Sequence, residues 1–199
     1  MACSSMAVLP CVQNDVDGLI IITSTDPEFE RKLDAIHEAG HCVFALLLGL
    51  HVKNITIKTK TEDASCNLTK ISDLNTLLFR DIGRKFYAAG MAVTKKYYPE
   101  AVTFPDYCDL KVLYYLGGIS ESHKKQLKEK FKSHNLKNIQ IEKISTEFLR
   151  EDLQKYFRQN LADPKILVKI ETLSRALLDK EKLTASEIRL ILSNDSQNR

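Results

Sequence analysis

Apolar residues recur at helical spacing along most of this chain, and only two short stretches in its first third break that rhythm by alternating. Phe29, Leu33, Ile36, Gly40, Val43 and Leu47 form one stripe, opened by Asp26-Pro27-Glu28 and closed by Gly49. Val52 to Lys58 then reads as a strand with one wet face, and a second strand near Cys66 to Ile71 pairs with it across Thr61-Glu62-Asp63. Ser72 or Asp73 caps a long helix carrying Leu74, Leu78, Ile82, Phe86, Ala89, Val93 and Tyr97. Its middle, Ala88, Ala89, Gly90 and Ala92, has little bulk, so the helix at 26–49 is expected to approach it closely. Pro99 ends that helix, and Pro105-Asp106 opens another that stops at Gly117-Gly118. Further helices are expected at Ser120 to Lys132, Ser145 to Asn160, Asp163-Pro164 to Lys180, and Thr184 to Ser193, the last behind a Thr184/Glu187 capping box. Residues 1–25 read as a loose leader with a short strand at Leu19 to Thr23, and the tail frays from Asn194. The pattern predicts a mostly α fold with a small β-hairpin or short sheet.

Composition narrows the function classes. With 199 residues, 44% hydrophobic and 28% charged, the chain can bury one sizeable core or two small ones. A formal net charge of +3 is too small to imply a nucleic-acid partner, and the lysine-rich segment 120–132 reads as a solvated face. The five cysteines show no CxxC spacing, which favours reduced thiols over a disulfide scaffold or a thiolate metal knuckle. No apolar run approaches the ~20 residues of a membrane span, and the N-terminus lacks the pattern of a signal peptide. The expectation is a soluble, cytoplasmic protein with no membrane span.

The chemistry is concentrated in His37-Glu-Ala-Gly-His41, an HExxH sequence inside the first predicted helix. Residues four apart lie one above the other on a helix, so His37 and His41 can aim ring nitrogens at one point, with Glu38 about a hundred degrees round. Two imidazoles suit zinc, and a nearby carboxylate that is not a ligand can take a proton from a water that zinc activates. Three fixed positions also recur by chance, and the plain alternative is a helix edge with two satisfied histidines. The helical context, the flanking apolar stripe and the small Ala39 and Gly40 favour a metal. Both histidines are expected at the edge of the core, where a cleft opens. A third ligand is needed: Leu47 stands where HExxHxxGxxH proteases place a histidine, and His51, His123 and His134 have no inviting context. Asp106 and Asp109, placed by the pattern in one helix first turn, both qualify, and either can instead serve the helix dipole.

Ile36-His-Glu-Ala-Gly-His-Cys-Val43, followed by Val52-Lys-Asn-Ile-Thr-Ile57, resembles the zinc peptidase domain of the FtsH family of ATP-dependent membrane proteases. Ala88-Ala-Gly-Met-Ala-Val93 is similar to that family's small-residue helix, and Cys108-Asp-Leu-Lys111 to its Asp-Leu segment. Ile170 to Asp179 and Leu183 to Arg189 resemble its closing helices, so the likeness runs from about residue 27 to 193. It implies a helical zincin-like domain over 26–193, with a metal-binding part at 26–118 and a helical part at 119–193. It implies one zinc per chain on His37, His41 and Asp109, with Glu38 as general base.

Departures from the family matter. Met91 and Thr94 replace its usual Arg and Glu, and losing that carboxylate is expected to remove a partner that orients a ligand histidine. Phe104-Pro-Asp-Tyr-Cys108 replaces its Ser/Thr-Gly-Ala lead-in, and no GxxxxGK[ST] phosphate loop occurs. The function expected is therefore a zinc metallopeptidase that hydrolyses short or unfolded polypeptides, laid along an edge strand built from Val52 to Lys58. The alternative is a catalytically silent relative that acts as a binding module. Self-association stays open because the family forms hexamers, as does delivery of substrate by a separate ATPase.

Overall fold

Asp26 caps the first helix. Its carboxylate accepts the Glu28 amide at 3.0 Å, and Pro27 opens α1 (Pro27–Leu47), where its missing N–H has no helical partner to lose. The computed structural model describes residues 26–69, 76–99, 104–132 and 146–194. The expected leader strand, the caps at Ser72 or Asp73 and the tail after Asn194 lie outside the described residues. The architecture is mostly α with a small three-stranded antiparallel sheet. The strands are β1 (Val52–Thr56), β2 (Ser65–Leu68) and β3 (Lys182–Thr184). The other helices are α2 (Thr76–Tyr97), α3 (Phe104–Leu116), α4 (Glu121–Lys132), α5 (Glu151–Asn160), α6 (Pro164–Lys180) and α7 (Ala185–Asn194).

α1 is the hub, packed between α2 and α6. Leu33, Ile36, Ala39, Val43 and Phe44 are buried along it. The small residues of α2 let the two helices meet as expected: a Cβ on Gly40 would come within 2.9 Å of the Val93 side chain. Leu47 departs from its predicted place and is 45% exposed. The helix ends there, and Gly49 at φ 74° turns the chain so that Leu50 enters the core instead.

The strand read from Val52 to Lys58 is present but is not an edge. The order is β2-β1-β3, with Ile55 opposite both Cys66 and Leu183. Ile55, Thr56 and Ile57 are all buried in succession, where alternation predicted one wet face, and both α1 and α7 pack on β1. β3 arrives from the far end of the chain, a pairing that local periodicity does not reveal. Just before it, Glu181 closes α6 at φ 63°; its carbonyl accepts the Ile57 amide at 2.9 Å and its carboxylate binds Arg31 at 2.7 Å. One residue thus ties α1, β1 and α6 together.

The single helix expected at 145–160 is two elements, a 3₁₀ turn at Thr146–Phe148 and then α5. Between them Leu149 bridges to Ile119 and the Arg150 amide donates to the Gly118 carbonyl at 2.9 Å. Backbone groups committed to the α3–α4 link cannot also continue a helix. The Thr184/Glu187 capping box forms, with reciprocal bonds of 2.9 and 3.4 Å. One apolar core runs through α1, α2, α3, β1, α5 and α6. Among the described residues no helix is long and apolar enough to cross a membrane.

Candidate metal centre

His37 and His41 stand one above the other on α1, and α3 brings Asp109 to the same point. Asp109 Oδ2 lies 3.1 Å from His37 Nε2 and 2.8 Å from His41 Nε2, and the two Nε2 atoms are 3.0 Å apart. α3 begins by Phe104, so Asp109 falls beyond the first turn, where a helix-dipole role fades. The side chain of Asp106 lies outside the described ones. The group is deeper than the motif's helical position predicts: His37, Glu38, His41 and Asp109 are all buried, the most exposed at 8%. α2 covers the face of α1 that was expected to border a cleft.

The outward nitrogens decide what the inward ones can do. His41 Nδ1–H donates to the Phe86 carbonyl at 2.9 Å, an acceptor-only partner. A neutral His41 therefore turns its Nε2 lone pair toward Asp109 and His37. Acceptor atoms about 3 Å apart repel one another unless positive charge sits among them. Without a metal that charge is a proton. Burial presses the His41 imidazolium down, yet the neighbouring Asp109 carboxylate, by charge and hydrogen bond, outweighs it and holds the group above its ordinary value. Burial likewise pushes Asp109 up, and the charge of His41 with hydrogen bonds from both rings brings it below the usual carboxylate range.

The donor set suits a divalent ion equally well. Two imidazoles and a carboxylate are ligands zinc takes, and at bond lengths of about 2.0–2.1 Å tetrahedral ligand atoms lie about 3.3 Å apart, a few tenths beyond the spacing here. Space for an ion comes from α2. A Cβ on Gly90 would fall closer than 3.0 Å to both Nε2 atoms, nearer than real Cβ atoms come, so only glycine leaves this point open. His37, His41 and Asp109 together can hold a metal ion.

Around the three donors the structure adds groups that spacing alone did not single out. Thr94, fully buried, places Oγ1 3.3 Å from His37 Nδ1, so a partner stands where the missing carboxylate was expected to leave none. Met91 is fully buried and belongs to the apolar core. Glu38 Oε2 is buried with no hydrogen-bond partner among the described residues. Burial pushes its carboxyl up to about 7; the two histidines oppose the shift, and Asp109 and Asp34 add to it. Asp34 was readable as a candidate only through its i, i+4 relation to Glu38. β2 lies beside the centre: burial, then the charges of Cys42, Glu38 and Asp109, push the Cys66 thiol well above its ordinary value. A cavity of about 720 Å³ lies elsewhere, lined by Arg31, Lys58, Lys60, Lys182 and Glu62 among others, and its Lys182–Glu62 pair is closed at 2.9 Å.

No protein-family model matches the chain, and no curated protein matches it either.

Proposed function

We propose that this chain is a zinc metallopeptidase of the FtsH peptidase kind, acting on short or already unfolded polypeptides. The observation that carries the reading is the convergence of His37 Nε2, His41 Nε2 and Asp109 Oδ2 at one buried point that Gly90 keeps clear. In this role His37, His41 and Asp109 hold the ion, and Glu38 is the general base. Zinc held there would supply Lewis acidity for a water and for a peptide carbonyl. Glu38, beside a dication, is drawn to its ionised form, takes the proton from the attacking water and returns it to the departing amine. Its buried Oε2, which has no hydrogen-bond partner among the described residues, is the atom suited to that transfer. Because β1 is central, a substrate strand has to add elsewhere, and the outer edge of β2, next to Cys66 and the centre, is the edge that fits. An extended, short or already unfolded polypeptide is what such an edge can take up by main-chain pairing.

A second reading, a metal-bearing binding module without catalysis, draws on the burial of Glu38, which is only 3% exposed. One experiment separates the two. Parent and Glu38→Gln are loaded with zinc, assayed for metal content, and compared on an unstructured fluorogenic peptide set. The peptidase reading expects about one zinc per chain in both, with hydrolysis falling by at least ~10²–10⁴-fold in the variant. Equal cleavage by both proteins removes Glu38 from the chemistry, and zinc in both with cleavage by neither selects the binding module.

A further inference from the structure

His41 is oriented by an acceptor of fixed sign, the Phe86 carbonyl, whereas among the described residues a hydroxyl, which can donate or accept, stands at His37 Nδ1. Phe86, Gly90 and Thr94 are spaced four apart, so they share one face of α2. That face presents to the two imidazoles a carbonyl, a gap and a hydroxyl in turn. With its Nε2 turned to an ion, a neutral His37 carries its proton on Nδ1, and the Thr94 hydroxyl oxygen 3.3 Å away has lone pairs to accept it. Thr94 is fully buried, so water cannot take its place beside His37.

We propose that Thr94 is a positioning residue: its Oγ1 accepts the His37 Nδ1–H and so turns the His37 Nε2 lone pair toward the point shared with His41 and Asp109. A neutral oxygen does at His37 what a carbonyl does at His41, and neither ring is pushed toward extra negative charge. No further negative charge is then added beside His37 to the carboxylates of Asp109 and Glu38. This inference rests on the metal reading above, and its test is chosen to tell the two apart.

Thr94→Val keeps the shape and removes the acceptor, while Thr94→Ser keeps the acceptor and removes the methyl group. Zinc affinity is measured for each by competition with a chromophoric chelator, the cobalt(II) absorption spectrum reports ligand geometry, and thermal unfolding of the metal-free proteins reports the fold. Loss of an orienting partner is expected to weaken zinc binding by about 10–100-fold in Thr94→Val and to alter the cobalt spectrum, with Thr94→Ser close to the parent. Should Thr94→Val not fold, Thr94→Ala against Thr94→Ser repeats the comparison with the β-branch absent from both. A parent that binds zinc while Thr94→Val binds it as tightly overturns the positioning role alone. So does a Thr94→Ser as weak as Thr94→Val, because the methyl group is then what matters. A parent that takes up no zinc overturns both this role and the metal reading.

Discussion

At His41 a proton takes the place a metal ion would take, and the competition this implies has a sign that can be measured without any substrate. In the metal-free protein Glu38 and His41 both sit above their ordinary values, the first through burial and the second through Asp109 prevailing over burial. A group whose folded value is raised adds stability at low pH and loses it as pH climbs through the folded value. For Glu38 the window runs from the ordinary 4.5 up to about 7. At about 1.36 kcal/mol per unit, its contribution is on the order of 3 kcal/mol. His41 extends the decline above 6.5, whereas Asp109, held low, matters only below 3.8. Urea unfolding of the metal-free protein is therefore expected to show less stability at about pH 8 than at about pH 5. Glu38→Gln should remove the part of the slope below about pH 7. An unchanged slope in that variant sinks the assignment of the shift to Glu38. Zinc uptake should run the other way, strengthening as pH rises, because the same donors must shed their protons. The histidines and Glu38 were legible as a group from five consecutive letters. Asp109 was separable from Asp106 only through family resemblance, and the hydroxyl of Thr94 looked like a loss until its contact with His37 was seen.

The α1–α2 pair is the element that makes a site of those side chains. On the proposed reading α1 supplies two ligands and the base, but the space between the rings belongs to α2 and depends on Gly90. Gly90→Ala is expected to abolish zinc uptake, from about one ion per chain to near none, while far-UV circular dichroism stays helical. Alanine is the better helix former by about 0.8–1.0 kcal/mol, so lost metal cannot be blamed on a weakened helix. Elemental analysis of the purified variant checks this, and full zinc occupancy would contradict the placement of the ion beside Gly90. Helix spans were legible because caps and periodicity are local: Asp26-Pro27 and Asp163-Pro164 mark the starts of α1 and α6 as read. The break at Leu149–Arg150 was not, since tertiary backbone bonds to Ile119 and Gly118 interrupt a continuous helical pattern.

At the scale of the whole molecule, the closing segment of the chain completes the sheet that flanks the centre. Leu183, fully buried on β3, faces Ile55 on β1, and Glu181 joins α6 to both Ile57 and Arg31. Leu183→Ala is expected to cost about 2–5 kcal/mol, read from the midpoint of denaturant unfolding. One shared core predicts that circular dichroism and tyrosine fluorescence report the same transition. Two separated transitions would show that the C-terminal helices fold independently of α1. The sequence by itself determined that two histidines and a carboxylate gather on one helix and which segments are helical, because residue spacing, caps and apolar periodicity act over a few residues. Only the tertiary structure decided that β1 is a central strand, that Asp109 meets the two imidazoles, and that Gly90 and Thr94 face them. Those outcomes depend on contacts between segments far apart in the chain, and such contacts leave no local period to read.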